Sequence, residues 1–256
     1  MSYEGKSVIV TGAAGGIGSA FAKMVAAEGA KLTLVDMNQE ALERTAEALD
    51  HEDVQVVAAD VTKEEDTAHY VQQAKEVYGS VDVFVNNAGI NGEFANLQDQ
   101  TMENLENVLG VNVKGVFAGL KYVMKEMTAQ GSGAIVNLAS NGGLLGAPGM
   151  GPYVASKHAV VGLTKTAALE GADHGVRVNA VAPSGVDTQM MRSIESNASP
   201  DDTASARSQF EASVPMNRYA EPEEIADLIH FLGSERASFI SGTYYRIDGA
   251  QGATSV

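Results

Sequence analysis

Cysteine is absent from the 256-residue chain, which excludes disulfides, thiolate-held metals and a cysteine nucleophile together. Positive charge is scarce: 17 Lys and Arg stand against 33 Asp and Glu, a formal net charge of −16. So acidic a chain is poorly suited to gripping a phosphate backbone or an anionic membrane face, and neither a nucleic-acid nor a membrane partner is expected. The acidity also fits a salt-adapted host. No run approaches the ~20 apolar residues that a spanning helix needs. The opening residues, MSYEGKSVIVTG, lack a basic segment followed by an apolar one, so no signal peptide is expected and the chain reads as soluble and cytoplasmic. The five histidines, at 51, 69, 158, 174 and 230, form no HExxH pattern and no cluster with carboxylates, and no metal is expected. GxSxG and a Gly-Lys-Ser/Thr turn are missing too, which leaves a serine hydrolase and a Walker-type nucleotide site without support.

What is present is ordinary for a folded protein. Hydrophobic residues make up 45% and charged residues 20%, which argues against disorder. Glycine, at 27 residues, is frequent enough that tight turns and close backbone approaches should matter. The length is long for one domain and short for two. No linker or repeat divides the chain, so 1–256 is read as a single domain. Short Val- and Ile-rich runs predict strands at Ser7–Thr11, Lys31–Val35, Val54–Ala59, Asp82–Asn86, Ala134–Ala139, Arg177–Val181 and Tyr244–Ile247. Helical periods predict helices at Gly16–Glu28, Gln39–Leu49, Lys63–Tyr78, within Met102–Ala129, at Tyr153–Asp173 and at Pro222–Leu232. Strands apolar on both faces suit a parallel sheet covered on each side. The alternation therefore predicts an α/β fold, a doubly wound Rossmann-like parallel sheet of about seven strands flanked by helices. A TIM barrel is the competing architecture, although eight βα units are hard to count.

Thr11-Gly12-Ala13-Ala14-Gly15-Gly16-Ile17-Gly18 follows the first predicted strand and opens the first predicted helix. Glycines in that position let the backbone approach a pyrophosphate, and the helix start offers free N–H groups. Asp36 ends the second strand, eighteen residues beyond Gly18, where a carboxylate accepts hydrogen bonds from a ribose diol and repels a 2′-phosphate. No Lys or Arg lies in the glycine turn, and from Leu32 to Arg44 the one cation is Arg44 itself. These residues predict NAD(H) over NADP(H).

The segment at 187–220 differs in character, being small and polar yet carrying Met190, Met191 and Phe210, with prolines at Pro200 and Pro215. Two readings stand: a mobile surface excursion, or a lid that closes apolar side chains over a ligand.

TGAAGGIG, then Asn86-Asn87-Ala88-Gly89, then Tyr153-Val154-Ala155-Ser156-Lys157, come in that order. With Asp60-Val61, Asn112 in VNVKG, Ser140 after IVNLA, and RVNAVAPSGVDT, the set resembles the short-chain dehydrogenase/reductase family from Lys6 to Asp248. The resemblance implies hydride transfer between a nicotinamide and a carbonyl or secondary alcohol. Tyr153 would be the acid/base and Lys157 its tuner and a ribose contact. Ser140 would steady the substrate oxygen, and Asn112 would position a water in the proton relay. It further implies a cofactor held by Gly12, Gly16, Ile17, Gly18, Asp36, Asp60, Val61, Asn87, Ala88, Gly89, Pro183, Val186 and Thr188, and a homotetramer.

Residue chemistry is compatible with these roles. Tyr153 and Lys157, spaced i, i+4, share a helix face, and a nearby ammonium is expected to pull the phenol below its ordinary pKa of ~10. Taken singly, Ser140 would also serve as a turn cap and Asn112 as a helix breaker. The family commonly has Pro-Gly where this chain reads Pro183-Ser184-Gly185, and Asp-Gly-Gly where it reads Asp248-Gly249-Ala250. Around the substrate the expected side chains are Leu144, Leu145, Met150, Met190 and Met191, with Asn91, Asn141 and Ser184 as polar contacts. That mixture points to a small apolar or cyclic carbonyl or alcohol as the partner molecule. A 3-oxoacyl-type reductase is the alternative within enzymes. A non-catalytic NAD(H)-binding regulator is the alternative from another class.

Overall fold

The structure is a computed structural model that describes residues 3–253. Seven strands form one sheet: β1 (Ser7–Thr11), β2 (Lys31–Asp36), β3 (Val54–Ala58), β4 (Val83–Asn86), β5 (Gly133–Leu138), β6 (Val176–Pro183) and β7 (Tyr244–Ile247). Their order is β3-β2-β1-β4-β5-β6-β7, and every pairing is parallel. The doubly wound expectation is therefore met, and the barrel is excluded by an open sheet with β3 and β7 at its edges.

Helices cover both faces because the strands are apolar on both. Val8, Val10, Val83, Val85, Val136 and Leu138 point to one side. There they meet α1 (Gly16–Ala26) through Phe21 and Val25, α2 (Gln39–Ala48) through Leu42, and α9 (Pro222–Gly233) through Ile225 and Ile229. Ile9, Phe84, Ile135 and Val178, the alternate strand residues, point to the other side. They meet α3 (Glu64–Tyr78), α5 (Val116–Gln130) and α6 (Gly151–Gly171) through Tyr70, Leu120 and Val160.

Two departures from the sequence reading bear on the site. The predicted helix within Met102–Ala129 is one helical run but not α throughout: α4 (Met102–Leu109) passes through a π-helical turn at Gly110–Gly115 into α5. An extra residue in a turn rotates the helix beyond it, and such turns concentrate where a helix must aim one side chain. The segment at 187–220 is no structureless excursion, since it folds into α7 (Gln189–Ala198) and α8 (Thr203–Ala212). Its small polar residues hid a helical period that stabilises only once Met191 and Ala206 are buried. Among the described residues no helix is long and apolar enough to cross a membrane.

Candidate active site

The sheet order reverses between β1 and β4, and the crevice outside their carboxyl ends is where open α/β sheets bind ligands. The glycine turn lies on this crevice. Gly12 has φ +65, which a side chain would strain, and a Cβ on Gly18 would lie 2.4 Å from the Gly12 carbonyl. Asn87 pins the turn across the reversal, its Nδ2 donating to the carbonyls of Thr11 at 2.9 Å and Gly12 at 3.1 Å. The N–H groups of Asn87 and Ala88 both donate to Thr11 Oγ1, at 3.0 and 3.1 Å. So Asn87 and Ala88 hold the cradle in shape.

The residues marked by resemblance also arrive at these strand ends. Ser140 follows β5, Tyr153 and Lys157 share one face of α6, and Asn112 comes from the π turn. Lys157 is buried, its Nζ donating to the Leu138 carbonyl at 2.7 Å and lying 5.6 Å from the centre of the Tyr153 ring. Burial alone lowers the Lys157 ammonium to about 8. The expected depression of Tyr153 is not what the chain sets up: burial raises the phenol above its ordinary value, and a hydrogen bond with Ser140 works the other way. Desolvation is the largest influence on both groups, because the same apolar surroundings penalise either charge.

Ser140 is a cap as well as a candidate for catalysis, since its Oγ accepts from Gly142 N at 3.1 Å. Asn112 is more committed than a water-holding role requires. Its Oδ1 accepts from Ile90 N at 2.8 Å, and its Nδ2 donates to the Ile90 carbonyl at 2.8 Å and to Ser156 Oγ at 3.0 Å. Ser156 in turn donates to the Tyr153 carbonyl at 2.6 Å. This chain ties the loop after β4 to the helix that carries the phenol, and Ser156 was not singled out by the sequence.

A cavity of about 360 Å³ opens in front of Ser140, Tyr153 and Lys157. Ile17, Asn87, Gly89, Pro183, Val186 and Thr188 line it from the cofactor side, and Asn141, Leu145, Met150, Ser184, Met190 and Met191 from the substrate side. Leu144 is a correction, because its side chain packs against the core beneath α6 and does not line the cavity. Asn91 is another: its amide donates to the neighbouring Gly92 carbonyl at 3.0 Å, outside the lining. Phe210, named with the lid reading, lines the cavity, and Ile194, Val214, Tyr219 and Gln251 line it without having been expected there. The apolar ones come from α7, α8 and the return segment, whose period was unreadable; Gln251 had a signal in the altered Asp248-Gly249-Ala250 run that precedes it.

The two helices over the cavity spring from a paired base. Asp187 N donates to the Ala220 carbonyl and Ala220 N to the Gly185 carbonyl, both at 2.9 Å. The Asp187 carboxylate bonds Arg192 of α7, and at 2.9 Å it also bonds Arg207 of α8. A larger cavity of about 460 Å³ lies at the amino ends of the strands, around Lys6, Asp82 and Arg177. Two of its charged groups are already engaged: Arg177 bonds the carbonyls of Leu232 and Ser234, and Asp82 accepts from Ser7 N.

The crevice fits a dinucleotide. A Cβ on Gly16 would meet Thr188 Cγ2 at 2.7 Å, so the glycine turn and Thr188 face each other as the two lips of one cradle. Asp36 stands at the end of β2, its Oδ2 accepting from Ala14 N at 3.2 Å and its Oδ1 from Asn38 N at 3.1 Å. Asp60 Oδ1 accepts from Thr62 N at 3.0 Å and from Thr62 Oγ1 at 2.7 Å, which lowers its carboxyl pKa; Val61 packs on Gly115.

Residues 12–251 match a family model described as enoyl-(acyl carrier protein) reductase. The chain belongs to the short-chain dehydrogenase/reductase family. This short-chain dehydrogenase/reductase is an oxidoreductase. It is 39% identical over 255 residues to a levodione reductase from Leifsonia aquatica, covering 98% of this chain and 96% of the relative. A crystal structure of levodione reductase superposes with a TM-score of 0.96 at 40% identity, covering 98% of this chain and 99% of that one. A cyclohexanol dehydrogenase from Acinetobacter sp. (strain SE19) is 35% identical over 250 residues, 97% of this chain and 95% of the relative. A crystal structure of an NAD+-bound xylitol dehydrogenase has a TM-score of 0.92 at 36% identity, covering 96% of this chain and 99% of that one.

Proposed function

We propose that the chain is an NAD(H)-dependent enzyme that interconverts a secondary alcohol and a ketone on a small or cyclic skeleton. The carrying observation is the convergence of Ser140, Tyr153 and Lys157 on one cavity beside a glycine cradle. When bound, the nicotinamide supplies the acceptor or donor of hydride. Ser140 Oγ donates to the substrate oxygen and holds it within reach of the Tyr153 phenolic oxygen, which as phenolate takes the alcohol's proton during oxidation and as hydroxyl returns it during reduction. Lys157, fixed to the Leu138 carbonyl, keeps a positive field beside the phenol while it is charged. Asn112, through Ile90 and Ser156, sets the position of both.

Asp36 supports NAD(H): its carboxylate is anchored by two backbone N–H groups at the ribose end of the crevice, where a 2′-phosphate would meet an anion. The NAD+ in the xylitol dehydrogenase structure supports the same choice. The helical segment at 187–220 acts as the substrate lid, and α5 and α6 form the seam of a homotetramer.

Oxidation of a panel of secondary alcohols by the purified protein, with NAD+ and then NADP+, tests the reading. Turnover is expected with NAD+, and Tyr153→Phe should reduce kcat by about 10²–10⁴. No turnover on any alcohol or ketone with either cofactor, or an unimpaired phenylalanine variant, overturns it.

A further inference from the structure

The cavity has two chemically different walls. Its lid side is apolar, formed by Met190, Met191, Ile194, Phe210 and Val214. Its sheet side is polar, because the carboxyl ends of β5, β6 and β7 arrive side by side and place Asn141, Ser184 and Gln251 in the lining. Ser184 N donates to the Ile247 carbonyl at 3.3 Å, which sets Ser184 beside the turn after β7. Gln251 N closes that turn on the Asp248 carbonyl at 2.9 Å and brings the glutamine back over the strand ends.

Hydrogen-bond logic fixes both amides. A carboxylate only accepts, so Asn141 presents Nδ2 to Asp248 at 3.0 Å, and the same nitrogen reaches Gln251 Oε1 at 3.1 Å. Gln251 Nε2 must then lie on the other side, where it donates to Ser213 Oγ at 3.1 Å; Ser213 gives its own proton to the Phe210 carbonyl at 2.6 Å. An amide nitrogen has two protons, and one is thereby left over. The Ser184 hydroxyl, standing where the family commonly has glycine, has no hydrogen-bond partner among the described residues. Neither group takes part in the chemistry at Tyr153. In a pocket built for a hydrocarbon, both would be left without a partner when substrate displaces water.

We infer that Ser184 and Gln251 recognise a second oxygen on the substrate, so the preferred class is a compact diol or hydroxyketone, not a mono-alcohol. The reacting carbinol lies at Ser140 and Tyr153, the second hydroxyl at Ser184 and Gln251, and the carbon skeleton against the lid methionines. The inference rests on the alcohol–ketone reading above, and its test separates the two. Matched substrates are compared with NAD+: cyclohexanol against the three cyclohexanediols, and butan-2-ol against the vicinal butanediol. One diol in at least one set is expected to exceed its mono-alcohol in kcat/KM by about tenfold, the worth of one good hydrogen bond. Ser184→Ala and Gln251→Leu should each lower that ratio severalfold, and the double variant should bring it to about one. NADH binding, followed by fluorescence, reports whether each variant is folded, and Ser184→Gly or Gln251→Met replaces the substitution at its position where it is not. Mono-alcohols oxidised as fast as every diol, or a ratio unmoved by both substitutions, overturns the inference and leaves the alcohol–ketone reading standing. No reaction with either kind of alcohol, nor with their ketones, overturns both.

Discussion

Gly89 shows how closely the proton-handling groups are packed. A Cβ there would lie 3.2 Å from Asn112 Oδ1 and in ordinary contact with Lys157 Nζ at 3.4 Å, so alanine crowds the Asn112 amide by a few tenths of an ångström. Gly89→Ala is expected to lower kcat by about ten- to a hundredfold through misplacement of Asn112 and, by way of Ser156, of the turn that carries Tyr153. Thermal unfolding should move little, because the loop lies outside the core. At the same scale, Lys157 and Tyr153 titrate as a pair. Burial lowers the Lys157 value to about 8, so above about pH 8 the site has lost one proton, and it reacts as the tautomer in which Lys157 keeps its proton and Tyr153 has given one up. Alcohol oxidation needs a site that accepts a proton. Its kcat/KM should therefore climb with pH up to about 8 and then level, read from initial rates across buffers of constant ionic strength. A profile flat from pH 6 to 9 would contradict this assignment. The sequence made the identities of these residues legible, since Tyr153 and Lys157 need only an i, i+4 spacing to share a face. It did not make the phenol's environment legible, because whether burial or the ammonium dominates depends on atoms contributed by β5 and the π turn.

The central strands were readable because they are apolar on both faces, and β1 and β7 fall on the predicted residues without adjustment. Asn112, expected to position a relay water or else to break a helix, lies in a π turn through which the helix continues. α7 and α8 were unreadable for a definite reason: with serines, aspartates and a proline between them, their local preference is weak, and their helicity depends on burial against the site. The Asp187 carboxylate, shared between Arg192 and Arg207, joins these two helices at their base. Asp187→Ala should cost about 1 kcal/mol of stability, as expected for half-exposed ion pairs. It should raise KM more than it lowers kcat, with faster amide exchange across 189–212. An unchanged KM and unchanged exchange would show that the carboxylate does not hold the lid.

At the scale of the whole molecule, the surface holds apolar side chains that a −16 monomer has no evident use for. Phe117 on α5 is 55% exposed and Leu169 on α6 is 82% exposed, and the two helices lie side by side. A homotetramer joined through this face should sediment at four times the chain mass, and Phe117→Glu should shift it to smaller species. Because each copy is strongly acidic, association should tighten from about 0.05 to about 0.5 M salt as repulsion is screened over a Debye length of about 10 Å or less at about 0.1 M and above. A wild-type monomer at every salt concentration would remove this face from consideration as a seam.

The paired backbone at Gly185, Asp187 and Ala220 has a consequence for how such a chain can change. The excursion leaves the scaffold and rejoins it at neighbouring points, so its interior can be exchanged like a cartridge. A chimera carrying the corresponding stretch of another reductase between these anchors should keep the donor's choice of carbon skeleton and the recipient's choice of nucleotide.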